Sequence, residues 1–117
     1  MTIHEIARRL DTRVLGAGAQ EGAELKRAVS SDRMSDLLEQ SSPDTLLVTR
    51  LATAQLVSMA ELMDVPALCV IASAGGEREI LAHAERSRVS VVISPHSAEE
   101  TRRRLADLLA AGEQPST

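Results

Sequence analysis

The sequence predicts an α/β fold: a single domain with a mostly parallel sheet and helices on both of its faces. Strand-like apolar runs alternate along the chain with stretches of helical periodicity, and this alternation is typical of βαβ units, whose strands are parallel. The 117 residues suit one domain, and an apolar content of 44% is enough to build a core. We expect the domain to cover residues 1–112 and to be followed by a disordered polar tail at 113–117.

Capping residues and hydrophobic periodicity predict the elements in order. Thr2 and Glu5 form a capping-box pattern at the start of a first helix over residues 2–10. A short strand is predicted at 13–15, and the glycine-rich stretch at 16–19 is interpreted as a turn because it lacks the spacing of a P-loop. Further strands are predicted at 25–30, 45–49, 67–71 and 89–93. Further helices are predicted over 34–40, 53–63, 77–87 and 98–110.

Two of these helices carry more specific expectations. Asp32 is placed to cap the helix over residues 34–40. The helix over residues 53–63 is apolar nearly all round, which predicts burial on more than one side. Because a chain this small has a limited interior, Met59 and Met63 on that helix indicate a homodimer interface.

The composition narrows the classes of function. The chain has no Phe, Tyr or Trp and a net charge of −4, and both oppose nucleic-acid binding, which uses aromatic stacking and cationic contacts to phosphate. No apolar run approaches the roughly 20 residues of a membrane span, and the N-terminus lacks the pattern of a signal peptide. Cys69 is the only cysteine, which fits a reducing compartment, so we expect a cytoplasmic protein.

Polar loops follow four of the predicted strands, and parallel strands bring their carboxyl ends to one edge of a sheet. Ligands of open α/β sheets bind at that edge. The loops supply hydroxyls, guanidiniums, a carboxylate and an imidazole, and a Gly-Gly pair precedes a helix whose N-terminal amides favour anions. These groups suit a small anion, a phosphate or a nucleotide. The predicted ligand-binding residues are Asp32, Arg33, Thr49, Arg50, Ser73, Gly75, Gly76 and His96.

The same residues have an ordinary structural interpretation, because Ser, Thr, Asp and Gly are common at helix caps and turns. A catalytic interpretation would join Asp32, His96 and a serine, but the sequence has no G-x-S-x-G elbow. His4, His83 and His96 lie in different predicted elements without the spacing of metal ligands, and no motif indicates a cofactor. The arginine run at 102–104 is interpreted as a solvated helix face.

The order of these polar residues resembles the DRTGG domain, a module named after scattered signature residues. Asp32-Arg33 ends one predicted strand, Thr49 ends the next, and Gly75-Gly76 follows the third. The flanking segments at 31–38, 46–49 and 69–71 are also similar, and the likeness covers nearly the whole chain. One departure is visible, since Ala74 precedes the glycine pair where relatives tend to have threonine.

The resemblance implies a regulatory or assembly role. Such domains occur beside nucleotide-sensing CBS pairs, in long phosphotransacetylases and as stand-alone proteins, and their outline is similar to the N-terminal domain of HPr kinases. We therefore expect a non-enzymatic sensing domain that binds a small anionic metabolite or nucleotide. Two alternatives stay open: a structural subunit that docks onto a larger enzyme without a small ligand, and a weak phosphoryl or acyl transfer enzyme that uses Asp32 and His96.

Overall fold

Five strands form one sheet in this computed structural model, which describes residues 1–15, 22–72 and 77–108 of the chain. The strands are β1 (Val14–Leu15), β2 (Arg27–Ser30), β3 (Thr45–Thr49), β4 (Ala67–Ile71) and β5 (Ser90–Ser94). The helices are α1 (Ile3–Arg9), α2 (Met34–Gln40), α3 (Ala54–Leu62), α4 (Glu77–Ala84) and α5 (Ala98–Arg104).

The spatial order of the strands is β1-β5-β4-β3-β2. Strands β2 to β5 are parallel to one another, and only β1 is antiparallel, with Val14 opposite Val92. Every residue of β3 and β4 is buried, as expected for central strands that are covered on both faces. The predicted α/β fold with a mostly parallel sheet is confirmed.

Each face of the sheet has its own core and its own set of helices. The core on one face joins the sheet to α1 and to the region of α5, through Ile3, Ile6, Ala7, Leu10, Leu105 and Leu108. The core on the other face joins it to α2, α3 and α4, through Leu37, Leu56, Val57, Ala60, Ile80 and Ala84. Strands β2 to β5 follow one another in sequence, so right-handed crossovers place all three connecting helices on the same side.

The ends of α1 and α3 follow local rules that the sequence shows. Glu5 Oε1 accepts a hydrogen bond of 3.0 Å from the backbone N–H of Thr2, as the capping-box pattern predicts. Both helices are followed by an aspartate in the left-handed region, with φ of 54° at Asp11 and 60° at Asp64. These residues reverse the chain, and Asp11 directs it from α1 into the edge strand β1.

The predicted cap of α2 was wrong, and α3 is less apolar on its outer side than an all-round burial would require. Residue Arg33, not Asp32, is the N-cap of α2, and it gives no side-chain cap; the carboxylate of Asp32 accepts hydrogen bonds from Arg50 instead. Helix α3 is buried at Leu56, Val57 and Ala60 and also contacts α2 and α4, so it is covered on more than one side but not all round. Leu62 is 80% exposed because the sheet covers α3 from one side and leaves the outer side of the helix layer open.

Some sequence predictions fall on residues that the structure does not describe. The turn at 16–19, the end of the domain at 112 and the tail at 113–117 all lie outside the described ranges. Within those ranges, no helix is both long enough and apolar enough to cross a membrane.

Candidate functional site

The four parallel strands end at one edge of the sheet, which we call the carboxyl edge, with Ser30, Thr49, Ile71 and Ser94 as their last residues. Neighbouring strands β4 and β5 lead to helices on opposite faces, since α4 packs in one core and the α5 region in the other. Ligands of open α/β sheets bind at such a reversal. Three predicted ligand-binding residues of this edge, Ser73, Gly75 and Gly76, lie outside the described residues.

Asp32 and Arg50 are brought together at the ends of β2 and β3. The backbone N–H of Arg50 donates to Asp32 Oδ1 at 2.9 Å, and its Nε donates to Oδ2 at 2.8 Å. The Nη2 atom of the same guanidinium lies 2.5 Å from Oδ2. These hydrogen bonds and the positive charge of Arg50 lower the pKa of Asp32 below its ordinary value, so the carboxylate stays ionised at neutral pH.

Arg102 of α5 reaches the same place from the opposite face of the sheet. Its Nε donates to Ser30 Oγ at 2.9 Å, a contact between residues 72 positions apart. Its positive charge also contributes, after the larger effect of Arg50, to the lowered pKa of Asp32. The sequence interpretation of Arg102 as part of a solvated helix face missed this placement. No local pattern indicates it, because the contact depends on where α5 crosses the sheet.

Arg33 and Thr49 take different positions at this edge. The guanidinium of Arg33 is exposed, with Nε 3.9 Å from Asp36 Oδ2. Thr49 is buried, and its Oγ1 accepts a hydrogen bond of 3.1 Å from the backbone N–H of Leu51. Thr49 therefore shapes the turn after β3, whereas Arg33 adds positive charge at the surface beside Asp32.

His96 and its neighbours form a separate hydrogen-bonded group after β5. The hydroxyls of Ser94 and Thr101 lie 2.6 Å apart, and both residues are buried. The Nε2 atom of His96 lies 2.8 Å from the carbonyl oxygen of Leu10, and since a carbonyl only accepts, Nε2 carries a proton there. This group ties the loop after β5 to the end of α1.

Within the described part of the chain, no hydrogen bond joins Asp32 to His96. Asp32 is held by Arg50 and His96 is held by the Leu10 carbonyl, so the hydrogen bonds of the two residues lead to different partners. The cluster Ser30, Asp32, Arg50 and Arg102, which we call the arginine site, carries two guanidiniums and one carboxylate. Among the described residues, no three His, Cys, Asp or Glu side chains come together to hold a metal ion.

Comparison with known proteins adds no relative. Neither the scan against protein-family models nor the search of curated proteins returns a match for this chain.

Proposed function

We propose that the chain is a sensing domain that binds a small anionic metabolite, or a nucleotide, at the arginine site. The observation that carries this proposal is how few contacts the guanidinium of Arg102 makes. Within the described part of the chain, its guanidinium makes one hydrogen bond, to the neutral hydroxyl of Ser30, and no ion pair with a carboxylate. The two Nη groups of Arg102 are therefore donors that a phosphate or carboxylate of a ligand can occupy.

The other arginine of the site, Arg50, and the two arginines that follow Arg102 on α5 differ from it in this respect. Arg50, Arg103 and Arg104 each bind a carboxylate at 2.9 Å or less. Cations paired in this way have less charge left for a ligand than Arg102, whose guanidinium forms no ion pair among the described residues although its charge acts on Asp32. Arg102 is therefore the residue on which the affinity of the site is expected to depend most.

Asp32 gives the proposed ligand a second chemical feature. The carboxylate is ionised, about one third exposed and held by Arg50, so it accepts hydrogen bonds in a fixed position. A ligand that places a hydroxyl on Asp32 and a phosphate on Arg102 would satisfy both groups. Phosphorylated sugars and nucleotides have this combination, and the regulatory role implied by the DRTGG resemblance is part of the same proposal.

A thermal-shift screen with phosphorylated sugars, nucleotides and inorganic phosphate tests this function. A ligand present at about 100 times its Kd stabilises the folded state by about 2.7 kcal/mol, which is readily seen as a higher melting temperature. We expect such a shift with the wild-type chain and its loss in Arg102→Ala. The contact of Arg102 is exposed, so circular dichroism of this variant should match the wild type.

Arg86→Ala is the matched control, because Arg86 is exposed on the turn after α4 and its removal changes the net charge equally. The control should keep the full ligand-induced shift. An equal shift in Arg102→Ala and in the wild type, or no shift with any member of the panel, would contradict the proposal.

A second candidate function is protein docking without a small ligand, and the exposed apolar residues Leu38 and Leu62 favour it. Leu38 lies on α2 and Leu62 on α3, and these helices are in contact where Ser41 Oγ lies 3.8 Å from Met59 Sδ. A second copy of the chain is the partner to test first, in line with the homodimer interface indicated by Met59 and Met63.

The measurement for this candidate is the mass in solution by light scattering. If the α2–α3 surface pairs two copies, the wild type should have twice the mass of one chain and the double variant Leu38→Ser, Leu62→Ser should have the mass of one. If the wild type had the mass of one chain even at high protein concentration, the homodimer hypothesis would be contradicted. A dimer that survives the double substitution would place its interface elsewhere.

A further inference from the structure

An open cleft lies between α1 and β1. Its volume is about 460 Å³, within the range of roughly 300–1,000 Å³ that is typical of small-molecule pockets. The lining residues are His4, Ala7, Arg8, Thr12, Arg13 and Val14. None of them belongs to the arginine site, so the cleft is independent of the function proposed above.

The fold builds this cleft from a helix end and the strand that follows it. His4 and Arg8 are four residues apart on α1 and so lie on the same side of the helix. The left-handed turn at Asp11 then folds the chain back, and the backbone N–H of Thr12 donates to the carbonyl of Ala7 at 2.9 Å. Residues 12–14 consequently return alongside the helix and close the second wall.

The floor of the cleft is apolar and its rim is basic. Ala7 is buried and Val14 packs against the core, so these two side chains form a fixed apolar floor. The guanidiniums of Arg8 and Arg13 are exposed beside it. No carboxylate of the described residues forms an ion pair with either of them.

The two acidic residues nearest in sequence have partners of their own. Asp11 Oδ2 accepts a hydrogen bond of 2.9 Å from Arg104 Nη1 on α5. Glu5 Oε1 accepts one of 3.0 Å from the backbone N–H of Thr2. Among the described residues no ion pair cancels the charge of the two rim arginines, although the charge of Arg8 also acts on the carboxylate of Glu5, three residues before it.

We propose that the α1–β1 cleft binds a small organic anion, with an apolar body against Ala7 and Val14 and a phosphate or carboxylate between Arg8 and Arg13. The apolar floor and the charged rim each contribute, so neither part of the ligand alone binds as well as the whole. A phosphate monoester of a flat apolar group matches this chemistry. The hydroxyl of Thr12 is a further hydrogen-bonding group in the cleft wall.

Titration of the isotope-labelled full chain with naphthyl phosphate, followed by NMR, tests the proposal. The amide shifts that change most are expected at residues 4–14. Inorganic phosphate and naphthol each lack one half of the probe, and each should bind about tenfold more weakly or worse, since 1.4 kcal/mol corresponds to a factor of ten. The double variant Arg8→Ala, Arg13→Ala should raise the Kd for naphthyl phosphate by about tenfold.

Arg86→Ala with Arg88→Ala is the matched control, because it removes the same charge from exposed residues after α4 and should leave the Kd unchanged. Arg13 lies outside α1, so Arg13→Glu serves as the second variant if the double variant does not fold. Repulsion between the introduced carboxylate and the phosphate should weaken binding of naphthyl phosphate at least as much. The proposal would be overturned if the wild type did not bind naphthyl phosphate or bound naphthol equally well. It would also be overturned if the arginine variants bound naphthyl phosphate as tightly as the wild type, or if the shift changes centred on Leu38 and Leu62.

Discussion

The backbone N–H and the guanidinium of Arg50 both donate to the carboxylate of Asp32, at 2.9 and 2.8 Å, so one side chain joins the loops that follow β2 and β3. The side chain of Asp32 is 31% exposed and that of Arg50 is 54% exposed. Solvent therefore screens much of the charge attraction, and the pair is expected to contribute modestly to stability. Its more specific effect is to fix the position of Arg50 beside Asp32 at the carboxyl edge.

Removing Asp32 should cost more stability than removing the side chain of Arg50. Arg50→Ala leaves the backbone N–H of residue 50 bonded to Asp32, whereas Asp32→Ala removes the acceptor of both hydrogen bonds. We expect Asp32→Ala to lower the free energy of unfolding by about 1 kcal/mol, and Arg50→Ala to lower it by less. Urea denaturation measures both values, and the reverse order would contradict the assigned contacts.

Arg33→Ala serves as the control for this pair. The guanidinium of Arg33 is 78% exposed and lies 3.9 Å from Asp36, so its loss should change stability by no more than a few tenths of a kcal/mol. A loss equal to that of Arg50→Ala would mean that any positive charge near Asp32 has the same effect.

The architecture was predictable because it depends on local patterns. Unbroken apolar runs at β3 and β4 indicate strands that are buried on both faces, and Thr2 with Glu5 indicates the start of α1. The antiparallel placement of β1 beside β5 was not predicted, since two residues carry no signal for pairing direction. The strand order follows from packing of whole elements, which periodicity does not encode.

The candidate site was predictable only in part, for the same reason. Parallel strands bring their ends together, so the proximity of Asp32 and Arg50 follows from the strand assignments. Asp32 also satisfies the rule for a helix cap, and the rule failed because a partner 18 positions away in sequence competes for the carboxylate. Arg102 follows no rule of spacing, and only the crossing of α5 over the sheet brings it to Ser30.

Glu100 should remain ionised far into the acid range. Its carboxylate accepts hydrogen bonds from Arg103 at 2.6 and 3.0 Å and from Arg104 at 2.7 Å, and these lower its pKa from 4.5 to about 2. A pKa that is lower in the folded state stabilises the fold above pH 4.5, and this stabilisation is lost as the pH falls toward 2. Glu100→Gln should therefore reduce the loss of stability over that interval.

The titration of the Glu100 carboxyl carbon by NMR checks this assignment directly. Arg103→Ala removes two of the donors and should move the midpoint upward, toward the ordinary value. A wild-type midpoint near 4.5 would show that the arginines do not hold this carboxylate in solution.

Cys69 should be unreactive until the sheet opens. It lies in the central strand β4 with no exposed surface, and burial raises the pKa of its thiol to about 12. Since the thiolate is the reactive form, a disulfide reagent at mildly alkaline pH should modify the native protein roughly a thousandfold more slowly than an exposed cysteine. Adding urea should restore rapid modification in step with unfolding.

An exposed reference is available within the same fold. Ser58 is exposed on α3, so Ser58→Cys in a Cys69→Ala background gives the rate for an accessible thiol. Equal rates for the two proteins in the absence of urea would contradict the burial of Cys69.

Asp64→Gly should make the protein more stable although it removes a side chain. Asp64 has a φ of 60° at the end of α3, where the backbone N–H of Val65 donates to the Ala60 carbonyl at 2.8 Å and that of Asp64 to the Glu61 carbonyl at 3.2 Å. Glycine adopts this left-handed conformation without the steric cost of a Cβ atom, which is roughly 1 kcal/mol. Part of this gain is offset because glycine also has greater freedom in the unfolded chain. We therefore expect a net increase of about 0.5 kcal/mol in the free energy of unfolding, measured by urea denaturation.

Asp64→Ala is the matched variant, since it removes the carboxylate but keeps the Cβ atom. It should show no increase, and equal stabilisation by both substitutions would assign the effect to charge rather than to the backbone.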